Sequence, residues 1–223
     1  MNETTARSLS QALWARNTGR AAEALGHPFV QRLADGTLPG ESFAHFVAQD
    51  AFFLEAFCRA YALGLAHSPD RVALDTFAEL IIGVRGELQL HASYAAEWGI
   101  DLSTVQPVPA TLAYTDFLLT IAARGDIGVT CAALTPCMRL YAHLGQSLSR
   151  PTSDTYARWI ATYADPDFES LAATIERLVD VYADDTAEVC AVYGRAMQLE
   201  LEFFDAHVDR PTALRGVLSP RQR

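Results

Sequence analysis

The segment ALTPCMRLYAHLG, residues 133–145, joins a helical apolar pattern to Thr135-Pro136-Cys137, a proline placed directly before a thiol. Proline in a helix interior costs about 3 kcal/mol relative to alanine, so its position beside a potential nucleophile asks for a local reason. Two geometries supply one. Pro136 either kinks a continuous helix, releases the carbonyl of Ala132 and opens room beside Cys137, or it starts a new helix capped by Thr135, where the positive dipole end would lower the thiol pKa. Leu134, Cys137, Tyr141, Leu144 and Leu148 share a face at helical spacing, which sets the sulfur one turn from a phenol. Buried cysteine is also an ordinary packing residue, and an apolar setting without the dipole leaves a thiol protonated.

Two carboxylates interrupt apolar stripes elsewhere. Phe43, Phe46, Val47, Phe53, Leu54, Phe57 and Tyr61 fall on one helical face with Asp50 in their midst. A lone ionised carboxylate in such a place costs several kcal/mol, so Asp50 has a buried partner, lines a cavity, or sits on a helix turned far enough to wet it. Val189, Val192, Tyr193, Ala196, Phe203 and Phe204 surround Glu200 in the same way, while Glu202 and Asp205 are better placed for solvent. A desolvated Glu200 would hold a proton near neutral pH and could donate it; it could equally bond a tyrosine or a buried water. A thiol, two misplaced carboxylates and aromatic faces together describe a pocket for a flat, nitrogen-rich molecule.

The elements that must position these groups are helices. Apolar residues recur at helical spacing through long segments, and alternating β-branched runs are absent, which predicts an all-α class. Helices are expected over 5–25, 41–66, 70–97, 109–124, 127–148, 152–163, 168–183 and 185–208. Asp35-Gly36, Pro39-Gly40, Ser68-Pro69, Pro107 with Pro109, Gly125-Asp126 and Asp165-Pro166 punctuate them. With 223 residues, half of them apolar, one domain over 1–210 is expected, followed by a loosely held tail over 211–223.

Composition narrows the partners. The formal net charge is −10 and the 17 basic residues, all arginine, are scattered, which argues against a nucleic-acid or anionic-membrane partner. The four cysteines lack CxxC spacing, and reduced thiols in a cytoplasmic protein without a zinc site are expected. No segment reads as a signal peptide or a membrane span.

HPFVQRLADGTLP followed by FAHFVAQDAFFLEAF, then TPCMRLYAHLG, WIATYADPDF and LELEFFDA, resemble in order the signatures of the TenA family, also called thiaminase II or aminopyrimidine aminohydrolase. The resemblance implies a multi-helical, haem-oxygenase-like bundle, a cytoplasmic homotetramer and no cofactor. It implies hydrolysis of thiamin-related pyrimidines: aminomethylpyrimidine, and thiamin as a further substrate, giving hydroxymethylpyrimidine in thiamin salvage. On this likeness Cys137 adds to the ring, Glu200 protonates a ring nitrogen and aids the leaving group, and Asp50 binds the amidine-like edge. Phe53, Tyr114, Tyr141 and Tyr163 line the pocket. Addition of sulfur to an aromatic pyrimidine needs a protonated ring nitrogen, so a raised Glu200 pKa is expected beside a lowered Cys137 pKa. Arg139, about 200° round the helix from Cys137, is expected to point away.

Two rivals remain. Glu87 and His91 share a helix face at i, i+4 and, with Glu55 or Glu200, would suit a di-iron oxygenase on the same fold, although the histidine count is short for one. A non-catalytic pyrimidine-binding protein is the other.

Overall fold

The computed structural model describes residues 7–149 and 152–208, where the backbone is helical without strands. The tail expected over 211–223 lies outside the described residues. The chain opens with α1 (Leu9–Arg16), whose N-cap Ser8 and Gln11 form a reciprocal capping box. At Asn17 the backbone leaves the helical region and the side-chain amide donates to the Leu13 carbonyl at 2.9 Å. The single helix expected over 5–25 is therefore two, with α2 (Thr18–Leu25) following; asparagine competes for backbone bonds and ends helices.

A short helix not expected from periodicity, α3 (Pro28–Asp35), comes next. Pro28 stands at its first position, His27 Nδ1 accepts from the Phe29 N–H at 3.2 Å, and Gly36 closes it at φ +78°. The long pair α4 (Gly40–Ala66) and α5 (Arg71–Trp98) pack along each other. A 3₁₀ turn (Leu102–Thr104) leads to α6 (Pro109–Ala123), α7 (Ile127–Ser147), α8 (Ala157–Ala164), α9 (Pro166–Tyr182) and α10 (Ala187–Val208). Residues 152–156, expected in a helix, instead form bends and turns ahead of α8.

Helix α7 is the central element. It is buried over most of its length and packs on α8, α9 and α10, while α4 packs on α5 and α6. Pro136 lies inside it, so the continuous-helix geometry is the one adopted. Proline offers no N–H to the Ala132 carbonyl, and the Thr135 hydroxyl turns back to the Cys131 carbonyl at 2.7 Å. A Cβ at Gly145 would run into the backbone of Tyr163 and Ala164, so the missing side chain is what lets α8 lie against α7. Arg139 points away from Cys137 and holds α9 through Glu176, at 2.7 and 2.9 Å, and Glu169, at 2.9 Å. Phe46, Trp159 and Phe203, all buried, lock α4, α8 and α10 together.

Candidate active site

Side chains from five helices converge beside the middle of α7. Cys137 and Tyr141 come from α7, Glu200 from α10, Asp50 and Phe53 from α4, Tyr114 from α6 and Tyr163 from α8, and every one of them is buried. The Cys137 thiol and the Glu200 carboxyl are buried close enough to bear on each other electrostatically. On the other side of Glu200, the Tyr114 hydroxyl donates to Oε1 at 2.6 Å, and the Tyr114 ring leans on Phe53 with centroids 4.7 Å apart. Tyr141 packs against Tyr163 at 4.9 Å, and its hydroxyl lies within electrostatic reach of Asp50, Glu200, Cys137 and Glu87.

The carboxyl of Glu200 is 1% exposed and faces no cation. Burial pushes its pKa up to about 8, with Asp50 adding to the rise and the hydrogen bond from Tyr114 opposing it. At neutral pH this side chain carries a proton.

Burial also pushes the Cys137 thiol well above its ordinary range, and the nearby carboxylates of Glu200, Glu87 and Asp50 add to that. The lowered thiol pKa expected from sequence is therefore corrected. Pro136 does not start a helix, so no dipole end points at the sulfur, and the groups around it are acidic.

Asp50 has the buried partner its sequence context called for. His91 Nε2 donates to its Oδ2 at 2.6 Å, and His91 Nδ1 donates to the Glu87 carbonyl at 3.0 Å. Both partners of the ring are acceptors, so the imidazole carries both protons. Despite desolvation, Asp50 and then Glu87 lift the His91 pKa to about 9. His91, which spacing alone sets beside Glu87 on one helix face, is 1% exposed and paired with Asp50.

Glu87 enters the site by a different route. Its Oε1 accepts from the Tyr163 hydroxyl at 2.6 Å, and burial of its carboxyl raises the pKa to about 7, with His91 opposing the rise and Asp50 adding to it. Glu87 also lines a groove of about 310 Å³ walled by Leu80, Val84, Met138, Phe168 and Leu171, so it borders both this groove and, through Tyr163, the enclosed cluster. Sequence reading weighed it only as a metal ligand. With both His91 nitrogens engaged and Glu55 exposed beside Arg59, the four residues considered for a di-iron site do not assemble one. Among the described residues, no group of three or more His, Cys, Asp or Glu side chains is set to hold a metal ion.

Tyr61 was missed altogether. Among the described residues its buried hydroxyl has no hydrogen-bond partner, and it lies within electrostatic reach of Cys137, Cys131 and Glu87. Its position in the apolar stripe of α4 concealed it, and nothing in the spacing distinguishes it from a packing aromatic.

A family model for TENA/THI-4/PQQC proteins matches residues 14–210. The chain belongs to that family. An aminopyrimidine aminohydrolase from Halalkalibacterium halodurans is 33% identical over 80% of this chain and 86% of its own length. Another from Bacillus subtilis is 31% identical over 74% of this chain and 73% of its own. Among solved structures, a TenA-family protein from a Silicibacter species, described as a transcription regulator, superposes with a TM-score of 0.84 at 28% identity, covering 89% of this chain and 96% of that one. A Shewanella denitrificans domain with a haem-oxygenase-like fold superposes at 0.70 and 17% identity, covering 87% and 90%, which places the TenA-family bundle in that fold. No helix of the described residues is long and apolar enough to cross a membrane.

Proposed function

We propose that this protein hydrolyses thiamin-related aminopyrimidines, taking aminomethylpyrimidine, and thiamin as a further substrate, to hydroxymethylpyrimidine in thiamin salvage. The observation that carries this reading is the burial of the Cys137 thiol beside the Glu200 carboxyl, which Tyr114 holds at 2.6 Å, with the Asp50–His91 pair in the same cluster. Relatives named aminopyrimidine aminohydrolase at 31–33% identity support it.

The raised thiol pKa shapes the chemistry. A free thiolate among these carboxylates would be unfavourable, so sulfur reacts as its proton leaves. The thiol proton passes to Glu200 while the Glu200 proton goes to a ring nitrogen, and sulfur bonds to the adjacent ring carbon. Addition thus puts no net charge into the pocket. Asp50, bonded to His91 at 2.6 Å, faces the amidine-like edge, where positive charge develops once the exocyclic group departs. Phe53, Tyr114, Tyr141 and Tyr163 hold the ring flat between the sulfur and the acid. Assembly as a cytoplasmic homotetramer belongs to the same reading, and light scattering measures it.

Purified protein incubated with aminomethylpyrimidine should release ammonia and form the alcohol. Cys137→Ser should lower turnover on the order of 10³-fold or more while the ligand still binds. Turnover within about threefold of wild type would remove Cys137 from the nucleophile role. Iodoacetamide should label Cys137 slowly, and the pyrimidine should block that labelling; labelling without any turnover of the pyrimidine would favour a binding protein.

A further inference from the structure

We propose that Glu87 is a second acid–base group of the site, serving the exocyclic carbon: it protonates the departing amine and then takes the proton of the water that replaces it. This rests on the aminopyrimidine reading above.

The reaction needs proton transfers at two places that one carboxyl cannot serve together. Glu200 is engaged with the ring nitrogen and with sulfur, and the hydroxyl of Tyr114 holds its Oε1. The amine leaves from a carbon outside the ring, and both ammonia and the incoming water must pass between pocket and solvent. Glu87 touches the cluster through Tyr163 and also lines a groove at the surface. It lines the groove beside Met138, the residue next to Cys137, and its carboxyl bears electrostatically on Cys137 and Tyr141. Tyr163 fixes Oε1, and among the described residues Oε2 has no protein partner, so one oxygen is oriented and the other is available. A carboxyl whose pKa is raised to about 7 holds and releases a proton with equal ease near neutrality.

The steps balance. After sulfur has added, the electron pair of the ring expels the exocyclic C–N bond, and the nitrogen takes the Glu87 proton to leave as ammonia. The ring then carries the positive charge, opposite Asp50, and Glu87 is a carboxylate. Water bonds to the exocyclic carbon and gives its proton to Glu87, which restores the acid and a neutral ring. The C–S bond breaks, its pair returns to sulfur, and the ring N–H proton returns through Glu200. The sum is one water consumed and one ammonia released.

The test separates a leaving group that needs a proton from one that does not. Release of ammonia from aminomethylpyrimidine, and of pyridine from the same pyrimidine carrying a pyridinium on its methylene, is followed in single turnovers of wild type and Glu87→Gln, with circular dichroism to verify folding. Glu87→Gln should slow ammonia release by about 10²-fold or more and pyridine release by less than about fivefold. Formate should restore ammonia release to Glu87→Ala, and this second measurement carries the test if Glu87→Gln does not fold or wild type refuses the pyridinium. Equal slowing of both releases, undiminished ammonia release in Glu87→Gln, or Glu87→Ala unrescued by formate overturns the proposal. Wild-type protein that releases neither group overturns the aminopyrimidine reading itself, so the two failures are told apart.

Discussion

The two halves of the candidate site bury carboxyl groups to the same depth and keep them there by opposite means. On the α7–α10 side, Glu200 meets no cation and stays as a neutral acid between a phenol and a thiol. On the α4–α5 side, Asp50 meets His91, whose other nitrogen is fixed by a backbone carbonyl, and the pair is ionic. One half stores a transferable proton and the other a fixed charge. A site that protonates a ring nitrogen and then stabilises the cation left behind has use for both, and the two carboxylates could not exchange places without exchanging those neighbours.

The largest expected effect tests that assignment through stability. His91→Leu strips Asp50 of its partner and strands a buried charge, which should cost about 3–5 kcal/mol. Glu200→Gln changes a group that is already neutral, and should cost about 1 kcal/mol or less, the scale of one altered hydrogen bond. Urea unfolding of the two variants at pH 7 gives the comparison directly. Comparable losses would mean that both carboxyls are ionised, and the division between the halves would be lost. Activity should rank differently: Glu200→Gln, stable as it is, should turn over aminomethylpyrimidine about 10²- to 10⁴-fold more slowly.

The dependence of stability on pH sharpens the same contrast. Glu200 is raised from 4.5 to about 8 on folding, so between those values the folded state binds more protons than the unfolded state and stability falls as pH rises. Its contribution is complete below pH 4.5 and gone above about 8. His91 is raised from 6.5 to about 9, so its contribution is complete below pH 6.5 and gone above about 9. Glu200→Gln should therefore make the midpoint-versus-pH curve shallower between about pH 4.5 and 8, leaving the parts that Glu87, raised from 4.5 to about 7, and His91, raised to about 9, contribute. Unfolding midpoints at half-unit pH steps measure this, and an unchanged slope between pH 4.5 and 8 in Glu200→Gln would contradict the assigned window.

What the sequence could reveal of this arrangement follows from how strongly each residue violates its surroundings. Asp50 and Glu200 stood out because a charge in an apolar stripe is expensive, and Cys137 because a proline preceded it. The long helices were legible from periodicity, whereas α3 was too short for periodicity to register and needed its Pro28 start and Gly36 stop. His91 and Glu87 were visible as a pair at helical spacing, but their partners lie 41 and 76 residues away, and spacing within one helix says nothing of what faces it. The thiol pKa was misjudged for a related reason: it depends on charges contributed by α4, α5 and α10, none of which is local to Pro136.

The smallest expected effect concerns the helix that carries the ionic half. Within α5, Gly83 and Gly86 both border the groove, at positions where glycine weakens a helix by about 1 kcal/mol relative to alanine. A Cβ at Gly83 would come within 3.0 Å of a Leu171 methyl, while one at Gly86 would meet nothing within 4 Å. Gly86→Ala should thus raise stability by about 1 kcal/mol, and Gly83→Ala should gain less because α9 must give way. If packing along α4 holds α5 without the Asp50–His91 pair, the Gly86→Ala gain should persist undiminished in His91→Leu, since propensity and pairing act on different atoms. A gain that disappears in the double variant would show that α5 has already let go of α4 once the histidine is removed, and that the ionic half holds the bundle together as well as holding charge.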